Sequence, residues 1–326
     1  GPGPPAPAAA CAGRRRGVTS GRMDQTAAPA HRAVLAAIPP ARRAVLTETS
    51  DRAGLLRLAG HAGAILATGT WIGFGLPLWW ALLPVQGLLL VFLFCLEHEA
   101  THRTPFRSPA LSDWAGRVAG AILVLPFEWF RPFHLAHHRF TNDPERDPEL
   151  AEPKPEGWKA IAWVVSGLPY WIGEVRLIAA LVRGKVEGDY IPERAKPRIV
   201  REARILVGLY ALAALSLIVT PLLLWVWIVP VLLGQPFLRV YLLAEHSDCP
   251  PVADMLWNTR TTYTGRLIRA LAWNMPYHVE HHSWPTVPFH RLPDLHEDMR
   301  AHLKVTADGY ADFARGYLDR HAGRAP

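Results

Sequence analysis

The stretch LAGHAGAILATGTWIGFGLPLWWALLPVQGLLLVFLFCL, residues 58–96, contains no Asp, Glu, Lys or Arg. It is too long for one membrane helix of roughly twenty residues and long enough for two short ones. Gly75, Leu76 and Pro77 interrupt it near its middle, where a turn is expected. The stretch therefore predicts a transmembrane hairpin over residues 58–97.

A second uncharged stretch, residues 205–238, reads ILVGLYALAALSLIVTPLLLWVWIVPVLLGQPFL and breaks at Thr220 and Pro221. It predicts a second transmembrane hairpin over residues 205–245. Both hairpin turns are uncharged and every Lys and Arg lies outside the two stretches, so the positive-inside rule places both termini and the segment between the hairpins in the cytoplasm. The predicted fold class is an all-α membrane protein, with four transmembrane helices in two hairpins and a cytoplasmic helical cap.

The composition favours a membrane protein over several other classes. Hydrophobic residues make up 50% of the 326 residues, which is high for a soluble chain with long charged loops. The net charge of +7 is accounted for by cytoplasmic loops beside anionic lipid, and no basic, aromatic-bearing soluble module indicates a nucleic-acid partner. The three cysteines have neither the spacing of a disulfide framework nor that of a thiolate metal site.

The segments outside the two hairpins are predicted to be tail, lead-in or cap. They comprise a disordered tail over residues 1–30, a cytoplasmic lead-in over 31–57, a cytoplasmic or interfacial cap segment over 98–204, and a cytoplasmic cap segment over 246–326 that ends in an amphipathic helix over 292–317. Residues 1–22 are rich in Pro, Gly, Ala and Arg, which is typical of a cloning remnant or an upstream extension. Two apolar stretches in the first cap segment, 118–126 and 160–173, are too short to cross a bilayer.

Nine of the fifteen histidines lie just beyond apolar segments, in the sequences LEHEATHR, HLAHH, AEHSDC and HVEHH. They are His98, His102, His134, His137, His138, His246, His278, His281 and His282. Spacings of i,i+4 and i,i+3,i+4 put the imidazoles of each cluster on one face of a helix. Neutral imidazole is the commonest metal ligand, and nine are too many for one ion. The pattern therefore predicts a site for two metal ions on the cytoplasmic side.

The identity of the metal depends on the chemistry. HEATH, residues 98–102, resembles the HExxH pattern of zinc proteases with Glu99 as the general base, so an intramembrane zinc protease is one alternative. The other clusters are redundant for that chemistry, because a zinc site uses three or four ligands. A histidine-rich metal carrier is a further alternative. A carrier would need polar residues along the membrane spans to form a path for the ion, and the two apolar stretches contain almost none. Imidazole also suits iron, which can take part in dioxygen chemistry.

The histidine clusters resemble the three histidine boxes of the membrane fatty-acid desaturase and hydroxylase superfamily. The family pattern is H-x(3–4)-H, H-x(2–3)-HH and (H/Q)-x(2–3)-HH, which HEATH, HLAHHRFTNDPERDPE and NMPYHVEHH match in order. The resemblance covers about residues 55–300 and implies that the eight box histidines are ligands of two non-haem irons. His246 matches an additional ligand that members of this family often place after the last span.

The resemblance also implies an enzyme that uses O2 and two iron ions to remove hydrogen from an unactivated C–H bond. We interpret it as a fatty-acid desaturase acting on an acyl-lipid or acyl-thioester, because a membrane-embedded site gives access to lipid chains. The alternative within the superfamily is a hydroxylase or ketolase acting on a lipid, a carotenoid or a small amine-bearing molecule. The sequence has no haem, iron–sulfur or dinucleotide motif, so an external electron donor, a ferredoxin or a cytochrome b5-like protein, is expected. The expected location is the cytoplasmic membrane of a bacterium, with the metal site on the cytoplasmic side.

Other side chains near the clusters are predicted to support the site, and none beyond the metal ligands is predicted to be catalytic. An imidazole ligand usually donates its second N–H to a carboxylate or carbonyl oxygen, and the candidates for such a supporting role are Glu99, Glu245, Asn274 and Glu280. The acidic residues of the loop 143–149 are interpreted as salt links or loop caps. Aromatic residues near the second and third boxes are candidates for the wall of a substrate tunnel, namely Trp129, Phe130, Trp273 and Tyr277.

Overall fold

The computed structural model describes residues 30–323, and these residues are mostly helical. The first eight helices are α1 (Ala30–Ala37), α2 (Pro40–Leu46), α3 (Asp51–Gly73), α4 (Leu83–Val91), α5 (Leu93–His102), α6 (Pro109–Leu123), α7 (Phe127–Phe140) and α8 (Trp158–Val165). The remaining elements are α9 (Leu168–Val182), α10 (Lys196–Ser216), α11 (Val229–His246), α12 (Met255–Asn258), β1 (Thr261–Thr262), α13 (Arg266–Leu271), α14 (His278–Ser283), α15 (Leu292–Met299), β2 (Thr306–Ala307) and α16 (Tyr310–His321). The predicted disordered tail lies outside the described residues, apart from Ala30.

Two helices are long and apolar enough to cross a membrane, Trp79–His102 and Leu224–His246. The first joins a 3-10 turn to α4 and α5, and the second joins a π-helical turn to α11. The count rises to four if each of two bent pairs, α6 with α7 and α8 with α9, is one span. The chain is thus a mostly helical protein with two to four candidate membrane helices.

Each predicted hairpin joins one of these two spans to the helix before it, α3 or α10. The Ser50 hydroxyl oxygen accepts a hydrogen bond from the backbone N–H of Ala53 at 3.3 Å, which caps the start of α3. The helix ends just before Gly75, whose φ of 61° is a left-handed conformation that glycine adopts without strain. The helix α10 ends at Ser216, shortly before the break at Thr220. Both helix ends therefore fall close to the interruptions in the apolar sequence.

The two spans pack against each other at a pair of glycines, Gly87 in α4 and Gly234 in α11. A β-carbon on Gly87 would lie 2.2 Å from the carbonyl oxygen of Pro230, and one on Gly234 would lie 2.4 Å from the carbonyl oxygen of Gly87. Only glycine lets the two backbones approach this closely. The close crossing matters for the site, because these spans end at His102 and His246.

The helices α6 and α7 meet at an angle of 102°. Val124 ends α6 in the left-handed conformation, with φ of 63°, and the backbone N–H of Leu125 bonds to the carbonyl oxygen of Gly120 at 2.9 Å. Pro126 then caps α7, where its fixed φ suits the start of a new helix. The bend sends α7, with the second histidine cluster in its last two turns, in a new direction.

The C-terminal segment contains two helices rather than the single amphipathic helix that the sequence predicted over residues 292–317. Helix α15 ends at Met299, and α16 begins only at Tyr310. Between them β2 forms a two-residue parallel ladder with β1, and Gly309 has φ of 129°, which is incompatible with a continuing helix. This ladder fixes the last helix to the segment that precedes the third histidine cluster.

Candidate metal centre

Four separate elements bring the nine predicted histidines into one buried cluster. Helix α5 carries two of them, α7 three, the end of α11 one, and α14 three. Eight of the nine side chains are buried, and His102 is half-buried. Residues that are far apart in sequence, such as His98 and His281, have ring centroids only 4.7 Å apart. The structure therefore brings the three sequence clusters and His246 together.

The cluster contains two groups of histidines that could each hold a metal ion. In the first group, four residues offer ring nitrogens that all lie within 4.8 Å of one another: His98, His134, His138 and His281. In the second group, His137, His246 and His282 meet the same condition. The groups adjoin each other, since the rings of His138 and His282 are stacked with centroids 4.0 Å apart and an interplanar angle of 7°.

The remaining two histidines lie at the edges of these groups. The Nε2 atom of His102 is 3.0 Å from Nε2 of His134, which belongs to the first group. The Nε2 atom of His278 is 3.1 Å from Nε2 of His246, which belongs to the second group. Each therefore stands where it could add a ligand to its neighbouring group.

The state of the ring nitrogens fits metal binding. Both ring nitrogens of His138 and of His281, and Nε2 of His282, are buried and have no hydrogen-bond partner among the described residues. A buried polar atom without a partner is costly, so such atoms indicate a ligand. Burial lowers the pKa of His281 and of His282 well below the usual range of histidine, which keeps both imidazoles neutral and their lone pairs free. Neutral imidazoles with converging lone pairs are what a metal ion requires.

The comparison with protein families agrees with this geometry. The profile of the family described as fatty acid desaturase matches residues 77–313, which is more than half of the chain. The chain belongs to the fatty acid desaturase family. The matched region contains all nine clustered histidines, and the family is consistent with a metal site built from them.

Individual relatives of this desaturase are similar at low identity. It is 22% identical over 249 residues to the sn-1 oleoyl-lipid 12-desaturase of Arthrospira platensis, a match that covers 68% of this chain and 69% of the relative. It is 27% identical over 266 residues to the dihydrorhizobitoxine desaturase of Bradyrhizobium elkanii, covering 73% of this chain and 74% of the relative. It is 23% identical over 160 residues to the sn-1 acyl-lipid omega-3 desaturase (ferredoxin) of a Synechocystis strain, covering 48% and 43%.

The family identifies the chain as a fatty-acid desaturase-like oxidoreductase. Three of its relatives are named as desaturases, two of them for lipids. Family membership therefore favours an oxidoreductase over the zinc-protease and metal-carrier alternatives.

One carboxylate hydrogen-bonds to the Nδ1 atom of a clustered histidine in this desaturase, and two further carboxyl groups lie near the Nδ1 atoms of two others. Both carboxylate oxygens of Asp147 lie 3.0 Å from Nδ1 of His137. An oxygen of Glu245 lies 3.4 Å from Nδ1 of His278. An oxygen of Glu99 lies 3.7 Å from Nδ1 of His281, and both of these side chains are fully buried. A carboxylate at Nδ1 orients an imidazole so that its Nε2 faces the metal.

Two other groups contact the Nδ1 atoms of clustered histidines. The hydroxyl of Thr141 is 3.1 Å from Nδ1 of His282. The backbone carbonyl oxygen of Asn258 is 3.2 Å from Nδ1 of His246. The sequence analysis does not predict that any of three residues contacts the Nδ1 atom of a clustered histidine: Thr141, Asn258 and Asp147. Asp147 was interpreted as a salt link or cap, and it does cap a 3-10 turn by accepting from the backbone N–H of Glu149.

We expect the substitution Asp147→Asn to weaken metal binding by about 10-fold to 100-fold, because the ring of His137 loses its charged partner while the shape of the side chain is kept. The matched control is Asp143→Asn in the same loop, because Asp143 pairs with the exposed Arg146 and not with a histidine. Retention of metal after dialysis against a chelator measures the effect. Equal retention by the two variants would show that Asp147 does not support the site.

Two of the candidates for supporting the ligands have other partners in the structure. One oxygen of Glu280 accepts from the Thr261 hydroxyl, and the other bonds to Nδ1 of His296. The amide nitrogen of Asn274 donates to the carbonyl oxygen of Phe289 at 2.9 Å. These contacts fasten the third histidine cluster to β1 and to α15, on the side away from the clustered rings.

The aromatic candidates for a tunnel wall lie in two places. Phe130 stacks on the ring of His134 with centroids 5.4 Å apart, and Trp129 stacks on Phe133 at 5.0 Å. Trp273 is fully buried and its indole N–H donates to Nδ1 of His61, while the ring of Tyr277 packs on His296. Phe130 thus contacts a clustered histidine, Trp129 is joined to Phe130 only through Phe133, and Trp273 and Tyr277 contact histidines outside the cluster.

Four histidines outside the cluster are also buried. They are His31, His61, His296 and His321. Each is hydrogen-bonded outside the cluster: His31 to Asp254, His61 to the carbonyl oxygen of Leu89, His296 to Glu280 and His321 to Asp248. They are therefore structural rather than exposed, and none belongs to either metal group.

Proposed function

We propose that this enzyme uses O2 and two iron ions to introduce a double bond into the acyl chain of a membrane lipid. The observation that carries the proposal is the pair of adjoining histidine groups, each large enough to hold one ion. The nine histidines would be the ligands, with His102 added to the first group and His278 to the second. Two irons held there would supply the dioxygen chemistry needed to remove hydrogen from an unactivated C–H bond.

The chain's own residues prepare the site in three ways. Burial keeps the imidazoles of His281 and His282 neutral, and the oxygen atoms of Asp147 and Asn258 orient the rings of His137 and His246 before any ion binds. The partly buried ring of Phe94 packs against His98, and the buried ring of Phe130 packs against His134, so both shield that side of the site from water. A dry site of this kind suits a hydrocarbon substrate and protects the reaction from side products.

The lipid substrate is inferred from the relatives and from the apolar surroundings. Two of the relatives described above are named for acyl lipids, and one is named for dihydrorhizobitoxine. A hydroxylase or ketolase would use the same ligands and is the second candidate. Lipid profiling of cells that carry or lack the gene, grown in air, distinguishes them. A new double bond supports the proposal, whereas a new hydroxyl group, a new keto group or an unchanged profile would contradict it.

We propose that the electrons come from a separate protein. Desaturation removes two hydrogens, and the reduction of O2 to water needs two further electrons from outside. We propose a ferredoxin or a cytochrome b5-like donor, and one relative is named as ferredoxin-dependent. The net charge of +7 would attract an acidic donor of either kind.

We propose four transmembrane helices in two hairpins, with both termini and the metal centre on the cytoplasmic side of a bacterial membrane. Reporter domains inserted at Leu76 and at Thr220 are expected to lie on the outer side, because both positions fall in uncharged turns. Reporters after Asn142 and at the C-terminus serve as cytoplasmic controls. An inner-side signal at either turn would contradict this topology.

We propose that Trp129 and Phe130 border the path of the acyl chain, with Trp273 and Tyr277 behind the site. The substitution Trp129→Ala is expected to shift the position of the new double bond or the preferred chain length, while metal content stays unchanged. Trp163→Ala is the matched control, because Trp163 is 49% exposed on α8. A product spectrum that is identical in both variants would remove Trp129 from the path.

A further inference from the structure

A groove with a volume of about 750 Å³ lies between the start of α10 and the loop that follows α9. Three cationic side chains line it, Lys196, Arg201 and Arg204. The other lining residues are small or apolar: Gly184, Val186, Pro197, Val200 and Ile205. The groove is therefore lined by three positive charges and by an apolar wall that includes Val186, Val200 and Ile205.

The two arginines carry charge that this protein does not neutralise. Lys196 forms an ion pair with Glu193 at 2.5 Å. Among residues 30–323, no carboxylate forms an ion pair with Arg201 or Arg204. The Nε atom of Arg204 donates to the carbonyl oxygen of Val182 at 3.3 Å, which holds this side chain across the end of α9. Because Arg201 and Arg204 are three residues apart in a helix, both guanidinium groups lie on one face.

The groove lies where the polar part of α10 changes to an apolar part. From Ile205 onwards this helix exposes large apolar side chains, with Ile205 57%, Leu212 65% and Leu215 59% exposed. In the topology proposed above, on which this inference rests, α10 is a membrane helix and lipid hydrocarbon covers such a continuous apolar face. The boundary between hydrocarbon and headgroups therefore falls near Arg204 and Ile205, and both residues line the groove.

We propose that this groove binds the phosphate headgroup of an anionic phospholipid, whose acyl chains lie along the exposed apolar face of α10. Arginine binds phosphate oxygens through paired N–H donors, and two arginines on one helix face match a single phosphate. The apolar wall of Val186, Val200 and Ile205 would contact the glycerol backbone and the first methylene groups. The site is separate from the metal centre and does not depend on the proposed reaction.

The structure favours a lipid over a soluble anion as the occupant. A free phosphate ion would leave the apolar wall exposed to water, whereas a lipid covers it. An acidic protein docked at this position would have to share the groove with the hydrocarbon surface beside it. Charge complementarity and continuity with the apolar helix face together point to a membrane lipid.

Native mass spectrometry of the full-length protein, released from detergent with equal amounts of phosphatidylglycerol and phosphatidylcholine, tests the proposal. The wild-type protein is expected to retain phosphatidylglycerol in preference. In the double variant Arg201→Gln and Arg204→Gln, the ratio of retained phosphatidylglycerol to retained phosphatidylcholine is expected to fall about thirtyfold. Each basic residue near an anionic surface contributes about 1 kcal/mol to this preference. The control double variant Arg32→Gln and Arg52→Gln removes the same charge from exposed positions outside the groove and is expected to keep it.

Three results would overturn the proposal. The first is an equal preference in the two double variants, and the second is no preference in the wild-type protein. The third is retention of inorganic phosphate, added alone, by the wild-type protein and its loss in the groove variant, which would assign the groove to a soluble anion. Circular dichroism of each variant verifies that the helices are intact, so that a loss of lipid reports on the groove.

Discussion

The substitution His281→Ala is expected to abolish turnover and to lower the metal content from about two ions per chain to about one or fewer. His281 is fully buried and belongs to the four-histidine group. Its ring centroid lies 4.7 Å from that of His98 and 4.9 Å from those of His102 and His138, so the substitution removes a nitrogen donor from among these rings. Metal analysis and an assay of the reconstituted reaction measure the two effects.

The control for this variant is His302→Ala, because His302 is exposed and lies outside the cluster. Helical content by circular dichroism should be the same in both variants, since removing one imidazole does not alter the membrane helices. Full metal content together with full activity in His281→Ala would contradict the assignment of this residue as a ligand.

The substitution Gly234→Ala is expected to destabilise the protein by about 3 kcal/mol, at the upper end of the cost of overpacking. The added methyl carbon would lie 2.4 Å from the carbonyl oxygen of Gly87 and 2.6 Å from its carbonyl carbon. Neither atom belongs to a flexible side chain, so the strain is relieved only by moving one span away from the other. The unfolding midpoint in detergent, measured by heat or by titration with a denaturing detergent, tests this.

Gly208→Ala in α10 is the control, because a β-carbon at Gly208 meets nothing within 4 Å. Replacing glycine by alanine in a helix normally stabilises by roughly 0.5–1 kcal/mol, so this control should be neutral or slightly more stable. We further expect Gly234→Ala to bind metal more weakly, since the displaced spans carry His98 and His246. Equal stability of the two variants would mean that the two helices do not pack this closely.

The sequence predicted the parts of the site that depend on local periodicity. Histidines at i, i+3 and i+4 share a helix face whatever the rest of the fold, so the residues of each cluster could be named from spacing alone. The break in the apolar sequence at Gly75 could also be read directly, since glycine and proline interrupt helices for local steric reasons.

Tertiary arrangement decided the features that the sequence did not predict. The division into one group around His98 and another around His246 depends on how four elements pack, and no local pattern encodes it. The contact of Asp147 with His137 forms only because the chain folds back after α7. A loop rich in proline and acidic residues does not predict the direction that the chain takes. The predicted C-terminal helix is divided into α15 and α16, because Thr306 and Ala307 between them pair with β1, and this pairing is non-local.

The bend between α6 and α7 has a consequence for how the length of this chain can vary. The directions of three imidazoles depend on the number of residues between each histidine and Pro126, the N-cap of α7. These histidines are His134, His137 and His138. Each residue of an α-helix turns the next by about 100°, so one residue inserted between Pro126 and His134 would point all three imidazoles away from their neighbours. The number of residues in the exposed segment 151–153 does not set the direction of any of these imidazoles. Insertions and deletions are therefore tolerated there and forbidden in the first two turns of α7, whatever the side chains involved.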